Sequence, residues 1–299
     1  MRYNIVTNQM KREFYFMKEL LKEIEYNNGE FPEAQLKEII NRRDEFIPDL
    51  IEILKNAKDN YEEILEKPDY FAHIYAIFLL AQFKEKKSLN PIIDLISIPN
   101  EISSDIYREY LTEDLHRILA SVCGSDTEPL KRLVEDSSIN EYVRSAAIKS
   151  FIALLGEGVI SQKEVIEYYK SLFEGKLERE FSQVWNELIY DSCDAGPSEL
   201  YEQIKKAYAD ELVDEDCISL EEVDGAIKIH DIAKFPNLKA EGYSFFNDTV
   251  AELGCWDCFA KKDNSPKSQF MLGVSKLNKG KSKNKKKKVK DTKKKQRKK

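Results

Sequence analysis

The chain has 299 residues, of which 42% are hydrophobic and 34% are charged, with only 11 Gly and 9 Pro. This composition supports a buried core and favours long helices with short connections over a many-stranded sheet. No apolar run reaches the roughly 18 to 20 residues of a membrane span, and the N-terminal residues lack a secretory signal pattern. The number of cysteines is odd, 5, which is typical of a reduced protein. We therefore predict a cytoplasmic location.

Charge is distributed unevenly along the chain. Residues 261–299 hold 18 Lys or Arg against two acidic residues, Asp263 and Asp291, a net charge of +16. The residues before them hold 29 basic and 52 acidic side chains, a net charge of −23. We therefore predict an acidic body followed by a basic tail, and the two parts need separate explanations.

Helical periodicity begins near the N-terminus. Residues 12–26 carry apolar side chains at helical spacing. New helices are predicted to begin at Pro32 and at Pro48, because proline suits the first helical turn, where its missing N–H has no partner. The stretch YFAHIYAIFLLAQF, residues 70–83, is apolar on almost every face, which predicts a helix buried between its neighbours.

The stretch TEDLHRILASVCG, residues 112–124, combines an apolar face with reactive polar residues. Thr112 is the predicted N-cap. The apolar residues fall at i, i+3, i+4 and i+7, which predicts a helix with one core face: Leu115, Ile118, Leu119 and Val122.

Several later helices carry N-cap signals in the sequence. Asn140 precedes the predicted helix EYVRSAAIKSFIALL. Two capping-box patterns follow, Ser161 with Glu164 and Ser219 with Glu222, and each predicts the start of another helix.

The predicted helices come in pairs that repeat along the chain. The first helices of successive pairs align on Ile74, Leu115, Val143 and Val184, at spacings of 41, 28 and 41 residues. Such spacings are close to the about 40 to 47 residues of HEAT and armadillo units. We predict an all-α, HEAT-like α-solenoid of stacked antiparallel helix pairs, and a compact helical bundle is the alternative.

The predicted organisation has three parts. They are a helical repeat domain, an aromatic terminal segment that packs on the last repeat, and a disordered lysine-rich tail: 1–233, 234–260 and 261–299.

Several of these motifs, in this order, resemble the bacterial family known as domain of unknown function 1186. The resemblance covers roughly residues 30–225 and is carried by five stretches, AHIYAIFLLAQF, TEDLHRILASVCG, EPLKRLVED, EYVRSAAIKSFIALL and LEREFSQVWNELI, followed by ISLEEV. It implies a HEAT-like helical fold and no activity. Many members end in a zinc-binding element of the SEC-C type, but this chain has only Cys255 and Cys258 there, followed by the lysine-rich tail.

Five residues are candidates for a partner-binding surface. Glu113, Asp114, His116 and Arg117 lie at the start of one predicted helix, where they either cap it and form its polar face or line a groove. Arg144 either binds a partner or bridges to an acidic residue of the adjacent repeat.

Catalytic and metal sites are not predicted. His116 and Cys123 are seven residues apart, about 10.5 Å along a helix, too far for a nucleophile and its base. No dinucleotide, P-loop or hydrolase motif is present.

Cys255 and Cys258 supply only half of a four-ligand zinc site, so packing is favoured over metal binding or a redox pair. We therefore predict no metal and no cofactor.

The tail is predicted to bind polyanions through counterion release. Its densest clusters are two runs of lysine: Lys285, Lys286, Lys287, Lys288, Lys293, Lys294 and Lys295. Its partner could be ribosomal RNA, other nucleic acid, an acidic protein, an anionic membrane surface or the acidic body itself. The favoured function is a non-catalytic scaffold for a protein partner, the alternative is an RNA- or ribosome-associated protein, and an enzyme is the least favoured.

Overall fold

The computed structural model describes residues 2–99, 113–233 and 237–259, which belong to one compact unit, residues 1–259. Within these ranges all regular secondary structure is helical, apart from an isolated bridge between Tyr26 and Tyr70. The all-α prediction is therefore confirmed. None of the described helices is long and apolar enough to cross a membrane.

The first half of the chain contains seven α-helices among the described residues: α1 Arg2–Glu23, α2 Glu33–Asn41, α3 Arg43–Asp59, α4 Tyr61–Leu65, α5 Ala72–Phe83, α6 Leu89–Ile96 and α7, residues 113–123. The second half contains a further seven: α8 Glu128–Glu135, α9 Glu141–Gly156, α10 Gln162–Ser171, α11 Gln183–Ala195, α12 Pro197–Ala209, α13 Leu220–Ala233 and α14 Thr249–Leu253. Thr112, the predicted cap of α7, lies outside the described residues.

The predicted N-caps form through local side-chain hydrogen bonds. The Asn140 side chain accepts a hydrogen bond from the Tyr142 N–H at 2.8 Å and begins α9. At α10 the Ser161 N–H donates to the Glu164 carboxylate at 2.7 Å while the Ser161 hydroxyl accepts from the Glu164 N–H, which is the reciprocal pattern that the sequence predicts.

The helix that the sequence predicts to be buried on every face is buried. In α5 every residue from Ala72 to Ala81 is buried, and the helix packs against α3 and α14. An apolar helix surrounded by neighbours needs no polar face, so its sequence shows no amphipathic stripe.

The prediction that Pro48 begins a helix is wrong. Pro48 lies inside α3, which begins five residues earlier at Arg43. Phe46 is fully buried, so packing extends the helix toward the N-terminus, and Arg42 is paired with Glu45 at 2.6 Å at its start. Near a helix N-terminus proline removes only one backbone hydrogen bond, which the burial of Phe46 offsets.

Helices close in sequence pack on one another. Helix α3 packs on α5 and α6, α9 packs on α8 and α11, and α11 also contacts α12 and α13. Their apolar faces merge into one core that includes Trp185. This packing leaves one face of α5, α7, α9 and α11 to be covered by the residues that follow α13.

Candidate functional site

The polar residues at the start of α7 differ in their exposure to solvent. Glu113 is exposed, Asp114 and Arg117 are half-buried, and His116 is buried. Cys123 is also buried, on the apolar side of the helix. The side chains that the sequence places in one candidate surface therefore lie in three different environments.

Arg117 joins α7 to the C-terminal part of the described chain. Its guanidinium donates to Asp114 Oδ1 at 2.9 Å and to the two carboxylate oxygens of Glu252 at 2.5 and 3.1 Å. It also donates to the Phe245 carbonyl at 3.4 Å and lies 5.2 Å from the centroid of the Phe246 ring. Burial lowers the pKa of Arg117, but these ion pairs outweigh burial and the net shift is upward.

Residues 237–259, here named the terminal segment, are held by side chains of several helices. Before α14 the segment has no helix or strand, and three of its backbone N–H groups donate to side-chain oxygens outside the segment. These bonds run from Phe245 to Glu157 Oε1 at 3.0 Å, from Phe246 to Ser121 Oγ at 2.8 Å and from Thr249 to Gln82 Oε1 at 2.9 Å.

Phe246 and Tyr243 are two of the aromatic side chains that anchor the segment, together with Trp256 and Phe259 near its end. Phe246 is fully buried, with its ring centroid 5.0 Å from that of Phe78 in α5. The Tyr243 hydroxyl donates to Asp194 Oδ2 in α11 at 2.6 Å, and Lys149 Nζ in α9 lies 5.6 Å from the centroid of the Tyr243 ring. The segment therefore contacts α5, α7, α9 and α11 through both its backbone and its side chains.

We call the residues that contact this segment the segment-binding face. It comprises side chains from four helices and the residue that follows α9: Phe78, Gln82, Arg117, Ser121, Lys149, Glu157 and Asp194. The sequence predicts that residues 234–260 pack on the last repeat. In the structure α14, which belongs to the segment, packs on α2 and α5. Side-chain oxygens of α5, of α7 and of the residue after α9 thus satisfy backbone N–H groups that have no partner strand.

A cluster of carboxylates lies next to this face in α11. Asp191 is fully buried, its Oδ2 lies 3.5 Å from the Tyr169 hydroxyl, and Glu187 lies 3.6 Å from Lys149 Nζ. Burial and the neighbouring carboxylate raise the pKa of Asp191 well above its usual value. Sequence reasoning missed this cluster, although Glu187, Asp191 and Asp194 fall at i, i+4 and i+7 of one helix.

His116 contacts the terminal segment. Its ring centroid lies 6.3 Å from that of Tyr243. Burial, together with the positive charges of Lys149 and Arg117, lowers the pKa of His116 to about 4. His116 is therefore neutral at pH 7 and acts as a packed core residue in this structure.

The neutral state of His116 predicts a pH dependence of stability. The unfolded chain binds a proton at His116 near pH 6.5 and the folded chain only near pH 4, so stability decreases as the pH falls through this window. Between pH 7 and pH 5 we expect this group to contribute a loss of about 2 kcal/mol in the free energy of unfolding. Urea unfolding at both pH values measures it, and His116→Gln should reduce the pH dependence by that amount. An unchanged pH dependence in the variant would contradict the assignment.

Arg144 is buried, with 2% of its surface exposed. Its guanidinium donates to both carboxylate oxygens of Glu178 at 2.6 and 2.8 Å, and its Nε donates to the Val134 carbonyl at 2.8 Å. These contacts form an acidic bridge of the kind that the sequence allows as one alternative for Arg144.

The remaining candidates are three cysteines, which the structure describes, and the lysines of the tail, which lie outside the described residues. Burial raises the pKa of the Cys123 thiol to about 12, so it stays protonated. The Cys255 thiol bonds the Ala251 carbonyl at 3.3 Å, and Cys258 packs against the core. Within residues 2–99, 113–233 and 237–259 no three His, Cys, Asp or Glu side chains are placed to hold a metal ion. The tail candidates, from Lys285 to Lys295, lie outside the described residues.

Gly156 permits the close approach of the terminal segment. A Cβ added at this last residue of α9 would lie 2.8 Å from the Tyr243 carbonyl oxygen, a backbone atom that cannot move aside freely. We expect Gly156→Ala to lower the free energy of unfolding by about 1 to 3 kcal/mol, through overpacking. Urea unfolding followed by circular dichroism measures this change.

Gly225 in α13 provides a matched control. A Cβ added there meets nothing within 4 Å, and neither glycine has a positive φ. Gly225→Ala should therefore raise stability by about 0.5 to 1 kcal/mol, because alanine is the better helix former. Equal effects of the two substitutions would contradict the contact between Gly156 and the segment.

Comparisons with known proteins place the chain in a family. The family described as "Protein of unknown function (DUF1186)" matches residues 16–260. An uncharacterised protein of Chlamydia trachomatis serovar D is 35% identical over 237 residues, 79% of this chain and 94% of that protein. An uncharacterised protein of Chlamydia muridarum is likewise 35% identical over 237 residues, 95% of its length. No solved structure matches. The match to residues 16–260, which include the terminal segment, means that the chain belongs to the DUF1186 family.

Proposed function

We propose that this chain is a non-catalytic interaction protein that binds a protein partner on its segment-binding face. One observation carries the proposal, namely that side chains of several helices hold the backbone of residues far away in the sequence. A face that satisfies backbone N–H groups through side chains of different helices has the contacts that a polypeptide partner needs.

We also propose that the helices form HEAT-like stacked pairs. The spacings in the sequence and the packing of α9 on α8 and on α11 support this arrangement. In stacked pairs each unit contacts its neighbours and the first helices of the pairs form a continuous surface, which such proteins use for binding. Helices α5, α7, α9 and α11 are these first helices.

The states of the reactive side chains support a role without catalysis. The thiol of Cys123 is protonated at neutral pH and is hydrogen-bonded to the Asp126 carbonyl at 3.2 Å. His116 is buried beside positive charges. A nucleophile needs an adjacent base with a usable pKa, and this pair does not provide one.

Partner capture from native lysate at high salt tests the proposal. The bait is the full chain carrying Phe246→Ala, which loosens the segment and leaves the face intact. We expect it to capture one protein partner, and adding Gly156→Ala, which narrows the face, should prevent capture. Adding Gly225→Ala instead should leave capture unchanged. Equal capture by all three baits would contradict the proposal.

The net charge of +16 in residues 261–299 favours a second function, association with RNA or the ribosome. Binding through such a tail depends steeply on salt and little on sequence. The same experiment with a chain that ends at Ala260 separates the two functions. Nucleic acid or ribosomal proteins that disappear with the tail and with salt would favour the tail, whereas a partner retained by both chains favours the helical face.

A further inference from the structure

We propose that the C-terminal half of α11 is a pH-sensitive switch: Asp191 keeps a proton in the folded chain, and loss of that proton at higher pH destabilises the packing of α11 against α9 and α10. Both helices contact α11. Helices α9 and α11 also carry two side chains of the segment-binding face, Lys149 and Asp194. The proposal goes beyond partner binding, because it concerns what controls the stability of the helices that carry this face.

Asp191 lacks the hydrogen-bond donors that an ionised carboxylate needs. Its side chain is fully buried, and among the described residues no donor lies within hydrogen-bond distance of its Oδ1 atom. Its Oδ2 atom lies 3.5 Å from the Tyr169 hydroxyl, but that hydroxyl has only one proton and lies closer, at 3.0 Å, to the Ile148 carbonyl oxygen.

The protonated form of Asp191 fits this arrangement better than the ionised form. A protonated carboxyl group can donate its own proton to the Tyr169 hydroxyl oxygen, which keeps its bond to the Ile148 carbonyl. An ionised carboxylate would instead be buried with the weak Tyr169 contact as its hydrogen bond, and a buried charge without good donors costs free energy. The hydrogen-bond geometry therefore favours a retained proton.

The charges around Asp191 also favour its neutral form. Two further carboxylates of the same helix, Glu187 and Asp194, lie at i−4 and i+3. The cation that faces them from α9 is Lys149, whose Nζ lies 3.6 Å from Glu187. Burial, and then the charge of Glu187, raises the pKa of Asp191 well above its usual value, and Lys149 opposes this shift only in part. One proton on Asp191 therefore relieves repulsion among the three carboxylates.

The other titratable groups near this cluster are neutral at pH 7, and they come from α7, α10, α11 and the terminal segment: His116, Tyr169, Cys193 and Tyr243. Burial raises the pKa of both tyrosines above their usual value of 10.0. Burial, with the nearby carboxylates and Glu222 of α13, raises the pKa of Cys193 to about 12. These groups therefore do not supply positive charge that would favour an ionised Asp191.

The direction of the pH dependence follows from the raised pKa of Asp191. The unfolded chain loses this proton near pH 3.8, and the folded chain loses it at a higher pH. Between the two values the folded chain binds more protons, so the stability decreases as the pH rises, and the loss is complete above the folded pKa. His116 acts in the opposite direction, since its lowered pKa makes stability increase with pH up to about 6.5.

Urea unfolding of the full chain and of Asp191→Asn between pH 5 and pH 8 tests the proposal. The ratio of their folding equilibrium constants, variant over unmodified chain, should rise at least about tenfold, because each retained proton changes it by up to tenfold per pH unit. The contribution of His116 cancels in this ratio. Asp69→Asn, which alters an exposed aspartate, is the control and should give a constant ratio.

Two outcomes of this titration would overturn the proposal. One is a ratio for Asp191→Asn that stays constant with pH. The other is a pH dependence that Glu187→Gln removes and Asp191→Asn does not, because the proton would then be held by Glu187.

Infrared spectroscopy of the unmodified chain decides the question even if Asp191→Asn fails to fold. The carbonyl stretch of a protonated carboxyl group is distinct from the bands of a carboxylate. We expect this stretch in the folded chain at pH 7, a shift of the band when the chain is made with isotope-labelled aspartate, and its loss on unfolding in urea. A folded chain whose spectrum at pH 7 has no such aspartate band would overturn the proposal.

Discussion

Replacing Phe246 by alanine is expected to lower the free energy of unfolding by about 3 to 5 kcal/mol. The Phe246 ring is fully buried between Phe78 and the Arg117 guanidinium, so its removal leaves a cavity at the centre of the segment-binding face. Urea unfolding of the full chain, followed by circular dichroism, measures the loss. Because the substitution removes a contact of the terminal segment only, the helices should keep their far-UV circular dichroism signal at urea concentrations below the unfolding transition.

Phe245 is the matched control for this prediction. It is the adjacent phenylalanine, but it is half-buried, with Lys84 Nζ 4.7 Å from its ring centroid. Phe245→Ala should cost about 1 kcal/mol, as for a partly exposed contact. If both substitutions cost the same within error, Phe246 is not the anchor of the segment.

Replacing Arg144 by alanine is expected to cost about 3 to 5 kcal/mol, because breaking a buried ion pair leaves its partner uncompensated. The Arg144 guanidinium is the bidentate partner of Glu178 and also donates to the Val134 carbonyl. Both of these acceptors lose a donor in the variant. Equilibrium unfolding in urea measures the effect, and Arg144→Lys, which keeps the charge but loses the fork of donors, should cost less.

A double-mutant cycle and a pH series complete this prediction. Arg144→Ala with Glu178→Ala should cost less than the sum of the single substitutions. Burial raises the pKa of Glu178, but the hydrogen bonds from Arg144 and the other favourable contacts outweigh it, and the net pKa is lowered. The pair therefore stabilises the chain above the pKa of the unfolded carboxyl, and this contribution disappears as the pH falls through the lower folded pKa. Stability of Arg144→Ala equal to that of the unmodified chain at pH 7 would contradict the account.

Helix starts could be predicted from the sequence where the signal is local. The Asn140 cap and the Ser161–Glu164 box involve residues at most three positions apart, so the sequence alone contains both partners. The position of Pro48 shows the limit of such signals. Proline is compatible with the first helical turn, but α3 begins earlier than Pro48 because tertiary packing buries Phe46.

The site could be predicted only in part, because its contacts are distant in sequence. The sequence marks Arg117 as a candidate binding residue, but its partner Glu252 lies 135 residues away, and no spacing rule connects them. For the same reason the contact between Tyr243 and Asp194 was missed. The carboxylates of α11 had a detectable signal in their helical spacing, but whether such a face is buried depends on the segment that covers it.

Amide hydrogen exchange of the full chain tests most directly whether the segment-binding face holds the backbone of the terminal segment. The N–H groups of Phe245, Phe246 and Thr249 are the three that the face accepts. The account predicts that they exchange nearly as slowly as the amides of α7 and α9, and that Gly156→Ala accelerates their exchange while the helices stay protected. Exchange of these three amides at the rate of an unstructured peptide in the unmodified chain would contradict the account.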